Sequence, residues 1–329
     1  MDSIPPGPKP PQRPVTYLRV SVTDRCNLSC FYCLPVAGLK RMEHAEILSY
    51  EEILRVIRVA AAAGVTKVRV TGGEPLVRKD VLSLVERAAA VPGIRELCLT
   101  TNGTRLAALA KPLKDAGLTR INVSLDSLKP GSFRSITGAD SLPAVLEGLD
   151  AAREAGFSPI KLNTVVMAGI NDGEIADFAA LTLTAPYWVR FIEFMPIGGP
   201  WTRERVVATA EMKRAIEERL GPLAPAPAAG ADAGPAEMFT LPGALGRVGF
   251  IGAVSGHFCD SCNRMRLTAD GRLKPCLFSD IEVDVKGPLR AGCDDHGLAA
   301  IYRRAIEIKP RRRPEFFCGN TRPMQLIGG

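Results

Sequence analysis

Short β-rich segments alternate with helical segments between residues 15 and 194, and this alternation is the strongest constraint on the fold. The predicted strands cover 16–23, 66–71, 95–101, 118–125, 159–166 and 187–194, and the predicted helices cover 50–63, 79–91, 104–116, 142–155 and 172–184. In the first helix, Ile53, Val56, Ile57 and Ala60 recur on one face at the helical period. Strands that alternate with helices imply parallel β–α units with right-handed crossovers. We therefore expect an α/β fold with a parallel sheet.

The strands themselves alternate between apolar and polar residues. A parallel sheet covered by helices on both faces should instead be apolar throughout. The polar positions of the predicted strands are Arg19, Ser21, Thr23, Lys67, Arg69, Thr71, Cys98, Thr100, Asn122, Ser124, Asp126, Lys161 and Asn163. Because strand side chains have a period of two, one sheet face is apolar and the other is polar and basic. This predicts an open or partial barrel around a wet cavity that accepts an anion; the alternative is a sheet with one solvated face.

Composition excludes several classes of protein. Lys and Arg total 42 against 35 Asp and Glu, and this formal net charge of +7 is too small to indicate nucleic-acid binding. No apolar run approaches the ~20 residues that span a bilayer. Residues 1–14 are Pro-rich and lack the apolar core of a signal peptide, so we expect a disordered N-terminus. Nine cysteines without an export signal predict a cytoplasmic protein that uses its thiols for metal or redox chemistry rather than for disulfides.

A group of three cysteines, Cys26, Cys30 and Cys33, follows the first predicted strand directly. Three thiolates within eight residues cannot come from one helix face, so a loop must wrap around a metal centre, either an iron–sulfur cluster or zinc. Three cysteines would leave one iron of a [4Fe–4S] cluster open to another ligand. Zinc would need a fourth protein ligand, and the nearest histidine is His44.

A second group consists of Cys259, Cys262 and Cys276. Its spacing alone favours zinc, with Cys293 or His257 as the fourth ligand. The segment between these cysteines also carries Arg264, Met265 and Arg266. Two arginines on one strand face offer bidentate donors to a phosphate or a nucleobase edge, which favours a ligand site beside the metal.

Two motifs resemble the radical S-adenosylmethionine (SAM) enzymes. The first is the Cys-x-x-x-Cys-x-x-Cys group, with the aromatic Tyr32 before its last cysteine. The second is the turn Thr71-Gly72-Gly73-Glu74-Pro75 at the end of the next strand, where two glycines would let backbone approach a ligand closely.

Nearly the whole chain from residue 17 onward resembles the GTP 3′,8-cyclases, the molybdenum cofactor biosynthesis protein A family. The matching runs are RVSVTDRCNLSCFYC, VRVTGGEPLVRKD, LTTNGTRL, GLTRINVSLDSL, IKLNTVVMAGIND, RFIEFMPIG, FCDSCNRMRLTADGRLKPCLF and the terminal Ile-Gly-Gly. The resemblance implies a partial (β/α)6 TIM-like barrel over residues 15–220 and a smaller C-terminal domain, 246–329, that closes the barrel mouth. The Ala/Pro-rich segment 221–245 between them is expected to be a linker or loop.

The resemblance also implies the ligands of each residue group. Cys26, Cys30 and Cys33 would hold the [4Fe–4S] cluster to which SAM binds, and Cys259, Cys262 and Cys276 a second [4Fe–4S] cluster. SAM would contact Tyr32, Gly73, Ser124 and Met195. GTP would contact Arg19, Arg69, Thr100, Lys161, Arg264, Met265 and Arg266. Arg19 would act in catalysis together with the first three cysteines.

The implied reaction converts GTP to (8S)-3′,8-cyclo-7,8-dihydroguanosine 5′-triphosphate, the first step of molybdenum cofactor synthesis. A 5′-deoxyadenosyl radical would take the 3′ hydrogen of the ribose. The implied partners are an external one-electron donor, a second copy of the chain in a homodimer and a downstream cyclic pyranopterin monophosphate synthase; neither a membrane nor nucleic acid is expected. The tail Gly328-Gly329 would reach the active site, where a terminal pair of glycines otherwise frays.

Some residues depart from the family pattern, and other functions stay open. Arg311-Arg312-Arg313-Pro314 replaces the usual histidine-containing stretch, and Cys98, Cys293 and Cys318 have no role in the pattern. One alternative is another radical SAM enzyme with an auxiliary cluster that modifies a peptide. The other is an iron–sulfur or zinc protein without catalysis. Iron and sulfide content would separate these possibilities.

Overall fold

Six parallel strands alternate with helices in the first part of the chain. The computed structural model describes residues 14–33, 41–197, 200–227, 234–256, 258–312 and 322–328. The strands are β1 (Tyr17–Ser21), β2 (Lys67–Thr71), β3 (Glu96–Thr101), β4 (Arg120–Ser124), β5 (Lys161–Val166) and β6 (Trp188–Glu193). The helices are α1 (Tyr50–Ala62), α2 (Val81–Ala89), α3 (Leu106–Asp115), α4 (Pro130–Thr137), α5 (Leu142–Glu154) and α6 (Ile175–Thr184). All six predicted strands and all five predicted helices are confirmed.

Local sequence signals explain which helices were predicted. Helix α1 begins after Ser49, whose hydroxyl accepts from the backbone N–H of Glu52, while the Glu52 carboxylate accepts from the Ser49 N–H. This reciprocal capping box is a strong start signal. Helix α4 was not predicted, because it begins at Pro130-Gly131, a pair typical of turns, although proline is tolerated in a first helical turn. Helix α7 (Thr209–Leu220) was also not predicted.

The C-terminal segment extends the same sheet at both edges. Strand β9 (Arg247–Ile251) pairs in parallel with β6, and β10 (Arg264–Leu267) pairs in parallel with β1. Short antiparallel strands continue the two edges. These are β7 (Ala224–Pro225), β8 (Glu237–Thr240), β11 (Arg272–Lys274) and β12 (Val283–Asp284). Eight parallel strands thus lie side by side in the order β10-β1-β2-β3-β4-β5-β6-β9.

The segment 221–245 is more ordered than a linker. In its described part, β7 and β8 pair as an antiparallel hairpin, and β8 continues onto β9. The segment predicted to be a linker or loop therefore contains this hairpin, which its Ala and Pro composition does not reveal, because composition carries no information on pairing with a distant strand. The remaining helices are α8 (Lys286–Arg290), α9 (Asp295–Glu307) and α10 (Met324–Ile327).

The sheet is strongly curved. Side chains from all eight parallel strands line one cavity, including Tyr17 of β1, Thr100 of β3, Ile251 of β9 and Arg264 of β10. Strands lie about 4.8 Å apart, so a flat sheet of eight would separate its outer strands by roughly 34 Å. The arrangement is a partial TIM-like barrel, as predicted. The apolar strand face packs against the helices, with Leu18, Val68 and Leu162 fully buried. Among the described residues, no helix combines the length and apolar character needed to span a bilayer.

Candidate active site

The polar face of the barrel encloses a cavity of ≈ 230 Å³, which we call the basic cavity. Its cationic lining residues are Arg19, Lys67, Arg69, Lys161, Arg190, Arg264 and Arg266. Among the described lining residues, Asp126 carries the one carboxylate. Strand register produces this convergence, because Arg19 lies directly beside Arg69 on one side and Arg266 on the other. The predicted anion-accepting cavity is therefore present, and it is strongly electropositive.

Burial makes several of these cations unfavourable without an anionic ligand, namely Lys161, Arg190 and Arg266. The pKa of Lys161 falls to about 7, because burial disfavours the ammonium and Arg190 and Arg69 repel it. Burial and neighbouring arginines lower the pKa of Arg190 and of Arg266 to about 9. Burying charges is costly unless they are paired. The charge of the basic cavity therefore favours the binding of a polyanion.

Tyr17 and Arg190 also line the basic cavity, and sequence reasoning missed both. Arg69 donates from Nε to the Tyr17 hydroxyl and from Nη1 to the carbonyl of Leu99 at 2.9 Å. The pKa of Tyr17 falls to about 8 although burial raises it, because Arg69 and Arg19 stabilise the phenolate. Tyr17 shares the strand parity of Arg19, a signal that could have identified it.

Arg190 lies on β6, where the sequence alternation is irregular. It donates from Nη2 to Asn163 Oδ1 at 2.6 Å, because β5 and β6 place the two residues side by side. Its Nε and Asn122 Oδ1 are buried without a hydrogen-bond partner among the described residues. Buried polar atoms without partners are unfavourable, so both are suited to contact a bound ligand.

The first thiol cavity, of ≈ 110 Å³, lies at the carboxyl ends of the strands. Cys26, Cys30 and Cys33 all line it. The loop that carries them is tied to α4, since the N–H groups of Ser29 and Phe31 donate to the carbonyls of Thr137 and Ile136. Burial raises the pKa of each of the three thiols, so metal binding must displace their protons.

The two glycines after β2 pack against this loop. A side chain at Gly73 would overlap the carbonyl oxygen of Arg25, and one at Gly72 would lie 2.8 Å from that of Thr23. The Gly73 N–H donates to the Thr23 carbonyl at 2.7 Å. The expectation that these glycines make room for a ligand is therefore incomplete: both line the first thiol cavity, but their lack of a side chain is required by the loop backbone.

Glu74 follows these glycines, and its buried carboxylate stabilises the turn through hydrogen bonds. Its carboxylate accepts from the backbone N–H of Leu76 at 3.0 Å and of Asn102 at 2.6 Å, and from the Thr101 hydroxyl at 2.8 Å. Burial raises its pKa to about 7. This carboxylate joins the ends of β2 and β3, a role that the sequence did not reveal.

Tyr32 lies between the first thiol cavity and the basic cavity. Its hydroxyl donates to Asp126 Oδ2 at 2.5 Å, and Asp126 Oδ1 accepts from the Val165 N–H at 2.8 Å. Burial raises the pKa of Asp126 to about 6 despite these bonds. Tyr32, Cys33, Thr100, Ser124 and Met324 line both cavities, so the two are contiguous.

The second thiol cavity, of ≈ 60 Å³, is lined by Cys259, Cys262 and Cys276. It shares Phe258, Arg264, Arg266 and Leu277 with the basic cavity. The pKa of Cys262 lies below its ordinary value although burial raises it, because Lys309 and Arg264 stabilise the thiolate. The basic cavity therefore has a cysteine trio at each side.

Zinc at the second group would need a fourth ligand, and the structure does not bring Cys293 there. Cys293 is not among the described residues lining the second thiol cavity; it precedes α9, and its carbonyl accepts from Arg55 Nη2 at 2.5 Å. His257 lies outside the described residues. Among those described, no three His, Cys, Asp or Glu side chains converge on a position for a single ion. Each trio instead lines a cavity of its own, which fits a multinuclear cluster.

The tail contacts the two arginines at the centre of the site. The Gly328 carbonyl accepts from Arg266 Nη1 at 2.8 Å and from Arg19 Nη2 at 3.5 Å. Gln325 Nε2 donates to the Asp24 carbonyl at 2.6 Å, beside the first thiol cavity. The terminal Gly329 lies outside the described residues.

The remaining predicted residues are placed as follows. Met195 and Ser124 line the basic cavity, while Gly73 lines the first thiol cavity. The side chain of Met265 is fully buried in the apolar core, because it alternates with Arg264 and Arg266 and so points to the other sheet face; the predicted contact with GTP would have to come from its backbone. Cys98 is also fully buried, Cys293 lies at the start of α9, and Cys318 lies outside the described residues.

Comparison with known proteins gives matches over nearly the whole chain. Residues 20–182 match the family model of the radical SAM superfamily, and residues 187–314 match that of molybdenum cofactor synthesis C. The GTP 3′,8-cyclase of Moorella thermoacetica is 49% identical over 97% of this chain and 98% of its own. That of Pelotomaculum thermopropionicum is 50% identical over the same shares. Among solved structures, Streptococcus suis SuiB bound to S-adenosylmethionine has a TM-score of 0.59 at 15% identity, covering 88% of this chain and 67% of its own.

Proposed function

The chain belongs to the GTP 3′,8-cyclases, a family of the radical SAM superfamily, and we propose that it converts GTP to (8S)-3′,8-cyclo-7,8-dihydroguanosine 5′-triphosphate. This reaction is the first step of molybdenum cofactor synthesis. One observation in the structure supports the proposal above all others: the basic cavity is contiguous with a cysteine trio at each of two sides. A substrate in that cavity would contact both centres at once.

The cations of the basic cavity bind the triphosphate. A triphosphate carries about three to four negative charges, which would be very costly to bury without cationic partners. We assign this role to Arg19, Arg69 and Lys161, with Thr100 beside them and with Lys67 and Arg190 added by the structure. A bound triphosphate offsets the burial and the repulsion by Arg190 and Arg69 that lower the pKa of Lys161.

The guanine end lies toward the second thiol cavity in this proposal. Arg264 and Arg266 line both that cavity and the basic cavity, and guanidinium groups suit the acceptor edge of a purine. The side chain of Met265 is excluded from this contact by its burial, so its backbone alone is available.

The residues present fit two [4Fe–4S] clusters and SAM. Cys26, Cys30 and Cys33 would hold the first cluster, and Cys259, Cys262 and Cys276 the second. Each trio leaves one iron without a cysteine, which suits an exchangeable ligand. When bound, the clusters and SAM supply the electron transfer and the radical chemistry of the family.

SAM would be held where the first thiol cavity meets the basic cavity. We propose that Tyr32, Gly73, Ser124 and Met195 contact it. Asp126 fixes the Tyr32 hydroxyl, and the Phe194 ring lies edge-to-face with the Tyr32 ring at 6.5 Å between centroids. Met324, near the end of the chain, lines both cavities, so an apolar side chain borders the place where a reactive radical must be kept from water.

Several features of the biological context are part of the proposal. An external one-electron donor, a homodimer and a cytoplasmic location follow from the family resemblance. The product would pass to a cyclic pyranopterin monophosphate synthase.

The proposal is tested by anaerobic incubation of the reconstituted protein with SAM, GTP and a reductant. We expect 5′-deoxyadenosine and a cyclised GTP product to appear together. Omission of GTP controls for uncoupled SAM cleavage, and the Cys26→Ala variant controls for contaminating activity. If 5′-deoxyadenosine formed without any GTP-derived product, while a peptide substrate supported turnover, the peptide-modifying alternative would be favoured instead.

A further inference from the structure

Lys309 lies two residues beyond the end of α9, and its ammonium reaches the second thiol cavity. The Nζ atom donates to the Arg264 carbonyl at 2.6 Å, to the Pro275 carbonyl at 2.7 Å and to Cys262 Sγ at 3.6 Å. An ammonium has three N–H donors, so these acceptors can use all of them. None of the motifs identified in the sequence includes this lysine.

The two carbonyls belong to the two arms that carry the cysteines. Arg264 follows Cys262 by two residues, and Pro275 directly precedes Cys276. Lys309 therefore bridges the loop of Cys262 to the turn of Cys276. Helix α9 fixes the position of the lysine. Tyr302 of this helix is buried in the core, and the Lys309 N–H donates to the carbonyl of Ile306, in the last turn of the helix, at 3.1 Å.

The contact to Cys262 places a positive charge beside a cluster ligand. A [4Fe–4S] cluster with three thiolates carries net negative charge, and reduction adds another electron. A cation or a hydrogen bond at a ligand sulfur stabilises the reduced form more than the oxidised form. Lys309 should thus raise the reduction potential of the cluster at this site.

The first thiol cavity has a different environment. There Cys26 Sγ accepts from neutral groups, the Leu28 N–H at 3.4 Å and Asn102 Nδ2 at 3.7 Å. No Lys or Arg is found among the described residues that line it. Among the described residues, the hydrogen bond from a lysine to a cysteine sulfur is therefore seen at the second site, where Arg264 and Arg266 also line the cavity.

We propose that Lys309 is a positioning residue of the second cluster: it ties together the two arms that carry Cys262 and Cys276, and its charge raises the reduction potential of that cluster. The inference rests on the second cluster of the proposed function. A planar guanidinium cannot reproduce a point charge with three divergent donors, so lysine is specifically suited to this position.

Anaerobically reconstituted holoenzyme tests the inference without any turnover assay. Iron and sulfide content and the potentials of both clusters, from redox titration followed by electron paramagnetic resonance, are measured in Lys309→Gln and Lys309→Met. The Cys276→Ala variant identifies which signal belongs to the first cluster. Lys111→Met is the matched control, because the Lys111 side chain is 72% exposed and pairs with Asp115 on its own helix.

We expect Lys309→Gln to keep both clusters and to shift the second potential to a more negative value. At a fixed potential, the ratio of reduced to oxidised second cluster should fall about tenfold, which corresponds to about 59 mV for one electron. The first cluster and the Lys111→Met control should not shift. Selective loss of the second cluster from either Lys309 variant would also support the bridging role.

Two results would overturn the inference. One is an unchanged second potential with full iron content in both Lys309 variants. The other is loss of both clusters together, which would indicate a general effect on folding. A wild-type protein that assembles no second cluster would instead contradict the proposed function, so the two failures are distinguishable.

Discussion

Arg266 donates from Nη1 to the carbonyl of Gly328 at 2.8 Å, joining strand β10 to a residue at the end of the chain. Gly328 adopts a φ of +78°, and a side chain there would lie 2.8 Å from Thr71 Cγ2 and 3.1 Å from Ser21 Cβ. The tail thus packs against the paired ends of β1 and β2 only because this residue is a glycine. The same arginine lines the basic cavity, so the tail and a bound ligand share it.

Removal of residues 328 and 329 should abolish cyclisation, because Arg266 and Arg19 lose a fixed partner beside the substrate. The thermal unfolding midpoint should change little. Cyclised product and unfolding are measured on the same preparation. Full turnover by the truncated chain would mean that the tail is a frayed end without function.

Gly328→Ala should also reduce cyclisation, as removal of residues 328 and 329 does. Gly156→Ala is a matched control, because Gly156 has the same φ of +78° but open space around a Cβ. We expect Gly156→Ala to cost about 1 kcal/mol of stability and to leave cyclisation unchanged.

Lys161→Ala should weaken GTP binding on the order of 2 kcal/mol, about thirtyfold in Kd, because a charged hydrogen-bond donor is lost. SAM cleavage should remain measurable, since Lys161 does not line the first thiol cavity. Calorimetric titration with GTP checks the affinity, and Lys111→Ala serves as the exposed control. An unchanged Kd in both Lys161→Ala and Arg19→Ala would argue against a triphosphate in the basic cavity.

GTP binding should also weaken as pH rises above 7. Burial and the neighbouring arginines lower the pKa of Lys161 to about 7, so the free protein loses this charge between about pH 6 and 8. The bound triphosphate favours the ammonium, so binding at higher pH must take up a proton. Titrations from pH 7.5 to 8.5 in buffers of different ionisation enthalpy measure this uptake, and Lys161→Arg should remove it.

Substitutions should distinguish the functions of the two cysteine trios. Cys26→Ala should abolish SAM cleavage, whereas Cys276→Ala should spare part of it and stop cyclisation. Cys293→Ala is the control, because that thiol is not among the described residues lining the second cavity. We expect Cys293→Ala to retain about eight irons per chain. Normal cyclisation by Cys276→Ala would contradict the role of the second cluster.

Gly73→Ala should disrupt the first cysteine loop, because the added methyl group would overlap the Arg25 carbonyl. Iron content should fall from about eight to about four per chain. Gly173→Ala is the matched control, since nothing lies within 4 Å of a Cβ there. Retention of full iron by Gly73→Ala would show that the loop can move without losing its metal.

The sequence by itself determined the order of the elements and the chemistry of the barrel interior. Side-chain periodicity is a local property, so the polar positions of β1 to β5, such as Arg69 and Lys161, could be read before any strand was paired. The cysteine groups were equally visible, because each lies within a short segment. Helix α4 could not be predicted in this way, because Pro130 and Gly131 indicate a turn when their packing is unknown.

Tertiary structure alone decided which distant residues meet. The pairing of β10 with β1 and of β9 with β6 placed the second cysteine group beside the basic cavity. The separate pairing of β5 with β6 brought Arg190 to Asn163. Lys309 reaches Cys262 across 47 residues for the same reason. Such contacts depend on sheet curvature and on long-range strand pairing, which periodicity along the chain does not encode.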